Sequence, residues 1–243
     1  MSLDIKICGI STAETLEAAL GAGADMVGMV FFAPSPRHVD LATATRLAAQ
    51  ARGRAQIVAL TVDADDATLT AIVDAVRPDM LQLHGRETPA RVAAVRARFG
   101  LPVMKALGIA TRDDLAALPA YEAVADRLLL DAKPPKGAVL PGGNGVAFDW
   151  TLIADLDLAA PYMLSGGLDP DNVAQAIALI HPSGVDVSSG VEREPGIKDP
   201  SRIEAFLRVA RAAEAEGRAR AARSEPTGPT PTQPSPARET SPS

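Results

Sequence analysis

The sequence of 243 residues predicts an α/β fold, a single (β/α)8 TIM barrel, and three observations point to it. From Leu3 to about Ile203, short apolar runs alternate with Ala-rich amphipathic stretches. That rhythm implies parallel strands joined by right-handed helical crossovers. Eight such units fit into about 200 residues, the lower end of the range for a closed barrel. The first run, Asp4–Ile10, is two-faced: Ile5 and Ile7 share one side of a strand, Lys6 and Cys8 the other. A lysine beside the only cysteine suits a face that points into a barrel or cleft open at Cys8.

The strands are expected at 4–8, 26–30, 56–62, 79–83, 102–106, 127–131, 162–165 and 184–188. Helices are expected between and after them, near 12–21, 40–52, 65–76, 87–98, 111–118, 149–156, 169–180 and 200–216. Their apolar residues recur at three and four positions, as in Leu69, Ile72, Val73 and Val76. Ser11 or Thr12 can cap the first helix, and Asp169 followed by Pro170 reads as a cap and a first helical residue. Aromatics are 3% of the chain, so the core must be built from Ala, Val, Leu and Ile. The alternative architecture is an open doubly wound sheet, which binds dinucleotides through Gly-x-Gly-x-x-Gly after its first strand. Here that turn is Cys8-Gly9-Ile10-Ser11, and Gly142-Gly143-Asn144-Gly145 lacks the strand-then-helix setting. Residues 1–217 are read as the barrel and 218–243 as a disordered tail, rich in Pro, Ser and Thr and too poor in apolar residues to offset its ordering entropy.

Composition narrows the function. The formal net charge is -6 with no basic block, which argues against nucleic acid as a partner. One cysteine excludes an internal disulfide framework and a cysteine-cluster metal site, and His38, His84 and His181 form no ligand pattern. Neither a signal peptide nor an apolar run of about 20 residues is present, so the expected location is the cytoplasm, away from membranes.

In such a barrel the chemistry lies at the C-terminal ends of the strands. Gly166-Gly167 follows the seventh strand and Ser188-Ser189-Gly190 the eighth. Small residues there, with a helix N-terminus behind them, can receive a phosphate, or they can simply make tight turns. Asp131 ends a run of three leucines; desolvation would raise its pKa and suit it to act as an acid, unless it caps a backbone turn. Lys133 would oppose that rise. Cys8 is either an inert buried residue or a base whose thiolate Lys6 stabilises from one layer below. Arg37, between Pro36 and His38, can hold a carboxylate through its planar fork or sit solvated on the surface. His84 is either a ligand or acid/base, or a histidine bonded at the rim.

These segments resemble the phosphoribosylanthranilate isomerase family of tryptophan biosynthesis. The resemblance covers residues 3 to 208 and rests on Lys6-Ile7-Cys8-Gly9-Ile10, on Val27-Gly28-Met29-Val30-Phe31 with Ser35-Pro36-Arg37, and on Leu81-Gln82-Leu83-His84-Gly85. It continues through Leu130-Asp131, Gly142-Gly143-Asn144-Gly145 with Phe148-Asp149-Trp150, Leu164-Ser165-Gly166-Gly167-Leu168 and Val187-Ser188-Ser189-Gly190-Val191-Glu192. It implies an aromatic amino-acid biosynthetic enzyme that performs an Amadori rearrangement, the third step from chorismate to tryptophan. N-(5-phosphoribosyl)anthranilate becomes 1-(2-carboxyphenylamino)-1-deoxyribulose 5-phosphate, without cofactor or metal. By the same resemblance Asp131 is the general acid, Cys8 the general base and Arg37 the anchor of the anthranilate carboxylate. Gly166, Gly167, Ser188, Ser189 and Gly190 hold the phosphate. A negative Cys8 near Asp131 would then support a protonated carboxyl.

Two other readings compete. A ribulose-phosphate epimerase would want metal-binding histidines and aspartates at several strand ends, and the histidine-pathway isomerase pairs two aspartates where this chain presents Cys8. A phosphosugar-binding module on a retained barrel would be marked by a lost acid or base, and both are present. Monomer and homodimer are equally compatible with the sequence.

Overall fold

The computed structural model describes residues 2–133, 142–143 and 148–224. Eight parallel strands close in sequence order: β1 (Asp4–Cys8), β2 (Met26–Phe31), β3 (Gln56–Thr61), β4 (Met80–Leu83), β5 (Val103–Ile109), β6 (Arg127–Ala132), β7 (Tyr162–Leu164) and β8 (Gly184–Val187). Closure pairs β1 with β8, Lys6 opposite Asp186. The outer helices are α1 (Ala13–Gly21), α2 (Leu41–Ala51), α3 (Asp66–Val76), α4 (Pro89–Phe99), α5 (Leu118–Glu122), α6 (Val173–Ile180) and α7 (Pro200–Ser224). Thr12 is the residue that caps α1, its hydroxyl accepting from Thr15 N at 3.2 Å.

The alternation read from β1 holds. Ile5 and Ile7 pack outward in the large layer between strands and helices, while Lys6 and Cys8 face the interior. The interior itself differs from the expected aliphatic filling. Met26, Met80, Met104 and Met163 pack there with Val58, Ala106 and Leu129. Unbranched, flexible thioethers fill an irregular lumen in a chain with few rings. Lys6, Asp186 and Gln82 are buried as well, and Cys8, Val30 and Leu60 form a separate small apolar cluster.

Several elements depart from the expected bounds. The stretch 149–156 forms a 3-10 turn at Trp150–Ile153, which Asp149 caps by accepting from Thr151 N at 3.0 Å. The stretch 111–118 forms a 3-10 turn, Arg112–Ala117, before α5. Asp169 does cap, accepting from Asn172 N at 3.0 Å, but it caps a turn that contains Pro170, and α6 starts only at Val173. A hairpin that periodicity does not reveal, β9 (Glu192–Glu194) with β10 (Ile197–Lys198), follows β8. Helix α7 continues to Ser224, past the boundary read at 217. Gly217 does not stop it, because one glycine costs only about 1 kcal/mol in a helix of Ala, Glu and Arg, and Glu214 pairs with Arg211 at 3.2 Å and with Arg218 at 2.5 Å. The remainder of the expected tail, 225–243, lies outside the described residues, as do Asn144 and Gly145. Among the described residues, no helix is long and apolar enough to cross a membrane.

Candidate active site

An open cavity of about 770 Å³ lies at the C-terminal ends of the strands. Cys8, Arg37, Asp131, Gly166, Gly167, Ser188 and Ser189 all line it, together with His84 and Ser165. Gly190 does not. A Cβ there would stand 1.9 Å from Leu168 O, so this glycine allows two loops to pack. No long helix begins behind the Ser188 turn either; a three-residue 3-10 turn, Ser189–Val191, leads into the hairpin. Gly166 and Gly167 take φ of +84° and +67°, the left-handed region that glycine enters freely, and so turn the chain away from β7.

Cys8 sits over a buried ion pair. Lys6 Nζ donates to Asp186 Oδ1 at 2.8 Å, and Ser165 Oγ reaches Asp186 Oδ2 at 3.3 Å. Gly28 makes room for the lysine beside the thiol: a Cβ on it would come 3.0 Å from Lys6 Nζ and 3.1 Å from Cys8 Sγ. Burial pushes the Lys6 ammonium down, but Asp186 and Cys8 outweigh it and leave Lys6 above its ordinary value. The thiol moves the other way from expectation. Burial raises it, Lys6 lowers it, Asp186 raises it and Lys198 lowers it, and the net direction is upward. Lys6 thus acts in the expected sense but does not overcome desolvation, which leaves the Cys8 thiol above its ordinary value.

Asp131 divides its two oxygens. Oδ1 accepts from Ala132 N at 2.8 Å, the turn-capping role, while Oδ2 lies 3.2 Å from His84 Nε2. Gln82 Nε2 meets His84 Nδ1 at 3.0 Å, and Gln82 Oε1 is buried without a partner among the described residues. Lys133 turns its ammonium to Asp114, 2.6 Å away, rather than to Asp131. Beneath the His84 loop, Lys105 Nζ binds Leu83 O at 3.2 Å, Gly85 O at 2.8 Å and Glu87 Oε2 at 2.8 Å.

Arg37 is buried, and its Nε and Nη2 grip Glu192 at 2.7 and 2.9 Å. The fork expected to take a substrate carboxylate is thus occupied, and Nη1 is the nitrogen without an acceptor among the described residues. Glu192 Oε1 also accepts from Lys198 Nζ at 2.7 Å, and Lys198 reaches Ser188 O at 2.8 Å. Burial pushes the Glu192 carboxyl up, but Arg37 and Lys198 outweigh it and hold it below the ordinary glutamate value. Burial lowers Lys198, and Glu192 only partly restores it. Sequence reading missed Glu192, Lys198 and Asp186 as parts of the site. Asp186 was within reach, since the β1–β8 register sets it opposite Lys6; the hairpin had no signal.

Known proteins resemble this chain along most of its length. Residues 5–209 match the family model for N-(5'phosphoribosyl)anthranilate (PRA) isomerase. The chain is 69% identical over 214 residues to the N-(5'-phosphoribosyl)anthranilate isomerase of Rhodopseudomonas palustris strain BisA53, covering 88% of this chain and 98% of that one. It is 61% identical over 214 residues to that of Nitrobacter winogradskyi, covering 88% and 95%. The crystal structure of phosphoribosyl anthranilate isomerase from Thermotoga maritima superposes with a TM-score of 0.78 at 33% identity, covering 86% of this chain and 99% of that chain. A second, with reduced 1-(o-carboxyphenylamino)-1-deoxyribulose 5-phosphate bound, superposes with a TM-score of 0.74 at 31% identity over 86% and 99%. A third describes monomers generated from the dimeric Thermotoga maritima isomerase, at 31% identity, a TM-score of 0.74 and the same coverage. Matched along nearly its whole barrel by the family model and at this identity by these relatives, the chain belongs to the N-(5'-phosphoribosyl)anthranilate isomerase family.

Proposed function

We propose that this chain converts N-(5-phosphoribosyl)anthranilate into 1-(2-carboxyphenylamino)-1-deoxyribulose 5-phosphate, with Asp131 as acid and Cys8 as base. What supports the assignment is that both groups line one cavity, which Arg37 and the glycine and serine turns also line. The strands that carry them, β6 and β1, are separated by β7 and β8 around the closed barrel. Holding the substrate at its two anionic ends fixes the sugar between the two groups.

Asp131 gives a proton to the ribose ring oxygen. The C1–O bond breaks and nitrogen supplies the electrons, leaving a Schiff-base cation. Cys8 then takes the C2 proton; the C–H electrons form the C1=C2 bond and neutralise the nitrogen. The resulting enolamine loses its hydroxyl proton and gains one at C1, giving the ketone, so substrate and product are isomers. The cation also bears on the buried thiol. A positive charge beside Cys8 favours thiolate, so the base is activated only once the ring has opened. Every group given a role lies in one barrel, so monomer and homodimer serve equally. We place the enzyme in the cytoplasm and give residues 225–243 no part in catalysis.

The test follows loss of fluorescence from freshly generated phosphoribosylanthranilate with the wild type, Cys8→Ala and Asp131→Asn. Each variant is expected to fall by about 10²–10⁴ or more while keeping its circular dichroism. Wild-type protein that binds phosphate esters without turnover would overturn the enzyme reading in favour of a binding module. A Cys8→Ala variant of near-normal activity would remove Cys8 as the base.

A further inference from the structure

The hairpin β9–β10 joins both ends of the cavity through one carboxylate. Glu192 takes Arg37 through two nitrogens, at 2.7 and 2.9 Å, and takes Lys198 at 2.7 Å. Lys198 in turn holds Ser188 by its carbonyl at 2.8 Å and its hydroxyl at 3.1 Å. Arg37 is fixed from other sides too. Its Nη2 donates to Gly143 O at 3.2 Å, and its stem lies where a Cβ on Gly9 would come within 2.9 Å of Cδ. Arg37, Lys198 and Glu192 are all more than nine-tenths buried at their side chains. Two cations and one carboxylate leave a net positive charge next to the cavity, and Nη1 is the donor without an acceptor among the described residues. A bidentate carboxylate grip of this kind fixes the plane of a guanidinium.

Resting on the reading that Arg37 anchors the substrate carboxylate, we propose that Glu192 is a positioning residue for that anchor. It sets the plane of Arg37 so that Nη1 meets the anthranilate carboxylate, and through Lys198 it ties that aim to the Ser188 turn. The hairpin thereby fixes the spacing between the two anion anchors.

The experiment compares kinetic constants of full-length wild type, Glu192→Gln, Glu192→Asp, Arg37→Lys and the Glu192→Gln/Arg37→Lys pair, with melting temperatures alongside. A misaimed anchor costs up to about 100-fold. Glu192→Gln is expected to raise KM at least tenfold with kcat within about threefold, and Glu192→Asp, which keeps the charge, to recover part of the loss. Competitive inhibition by inorganic phosphate should stay within about twofold, because Lys198 keeps its two bonds to Ser188. The double variant should be no worse than Arg37→Lys alone, since without the guanidinium Glu192 has nothing to aim; coupled sites depart from additivity in this way. A lower melting temperature with unchanged KM, or single losses that multiply in the double variant, would overturn the proposal while leaving the carboxylate anchor intact. If Arg37→Lys leaves KM unchanged, the anchor itself is wrong, and the positioning role falls with it.

Discussion

Replacing Lys6 tests whether the ion pair under Cys8 serves the fold or the chemistry. Lys6 is fully buried and Asp186 is 4% exposed, and they meet at 2.8 Å. Lys6→Met removes the only cation bonded to Asp186 among the described residues and leaves that carboxylate with Ser165 Oγ at 3.3 Å. Breaking a buried pair from one side costs about 3–5 kcal/mol, because the surviving charge is uncompensated. For a domain of this size each kcal/mol lowers the melting temperature by about 2–4 °C, so the expected drop is about 6–20 °C. Replacing both members, Lys6→Met with Asp186→Leu, leaves no charge stranded and is expected to restore most of the stability, since neutral replacement of buried pairs is often close to neutral. Activity should not return with it. The thiol would lose the lysine that draws it down, and the loss of Asp186, which pushes it up, is the smaller effect.

Two assays separate these effects. Urea denaturation gives the stability of each variant. Alkylation by iodoacetamide against pH gives the ionisation of Cys8, with no ambiguity of site because the chain has one cysteine. The double variant should react along a profile moved to higher pH. A double variant that recovers both stability and turnover would refute the reasoning and reduce the pair to a structural one. An unmoved alkylation profile would show that Lys6 does not act on the thiol.

Three further outcomes are expected. Gly166→Ala places a Cβ 2.4 Å from Ala132 N and 2.9 Å from Asp131 Oδ1 at a φ of +84°, so it should cost about 1–2 kcal/mol in backbone strain and, by displacing the acid, lower kcat/KM by about 100-fold; urea melts and steady-state kinetics check both. Burial raises the Cys8 thiol, so the folded protein holds that proton more tightly than the unfolded chain; stability should therefore fall as pH rises above the ordinary value of 9.0, and Cys8→Ala should flatten that part of a pH series of urea melts. Lys133 beside Asp114 holds its carboxyl down to about 2, so its contribution is present above pH 3.8 and lost as pH falls through about 2; Asp114→Asn should cost under about 1 kcal/mol at neutral pH, as for a solvent-screened pair, and nothing at the acid end.

The local periods of the chain carried the barrel, and its long-range charges were the part they could not carry. Two-residue alternation was enough to put Lys6 and Cys8 on one interior face, and the order of strand ends was enough to gather Cys8, Arg37, Asp131 and the Gly166 and Ser188 turns at one mouth. Alternation says nothing about who answers a charge. Asp186 stands 180 residues from Lys6, and Glu192 stands 155 from Arg37. Their pairing depends on barrel closure and on a hairpin whose strands are two and three residues long, too short to show a period. The same blindness explains why the Cys8 thiol is pushed up where the sequence suggested it would be drawn down. From sequence, Lys6 could be counted as a neighbouring cation, but neither its neutralisation by Asp186 nor the depth of burial around Cys8 could be weighed. Desolvation and counter-charge are sums over the folded surroundings. A sequence motif therefore identifies the groups that react, while the resting protonation of those groups belongs to the closed barrel.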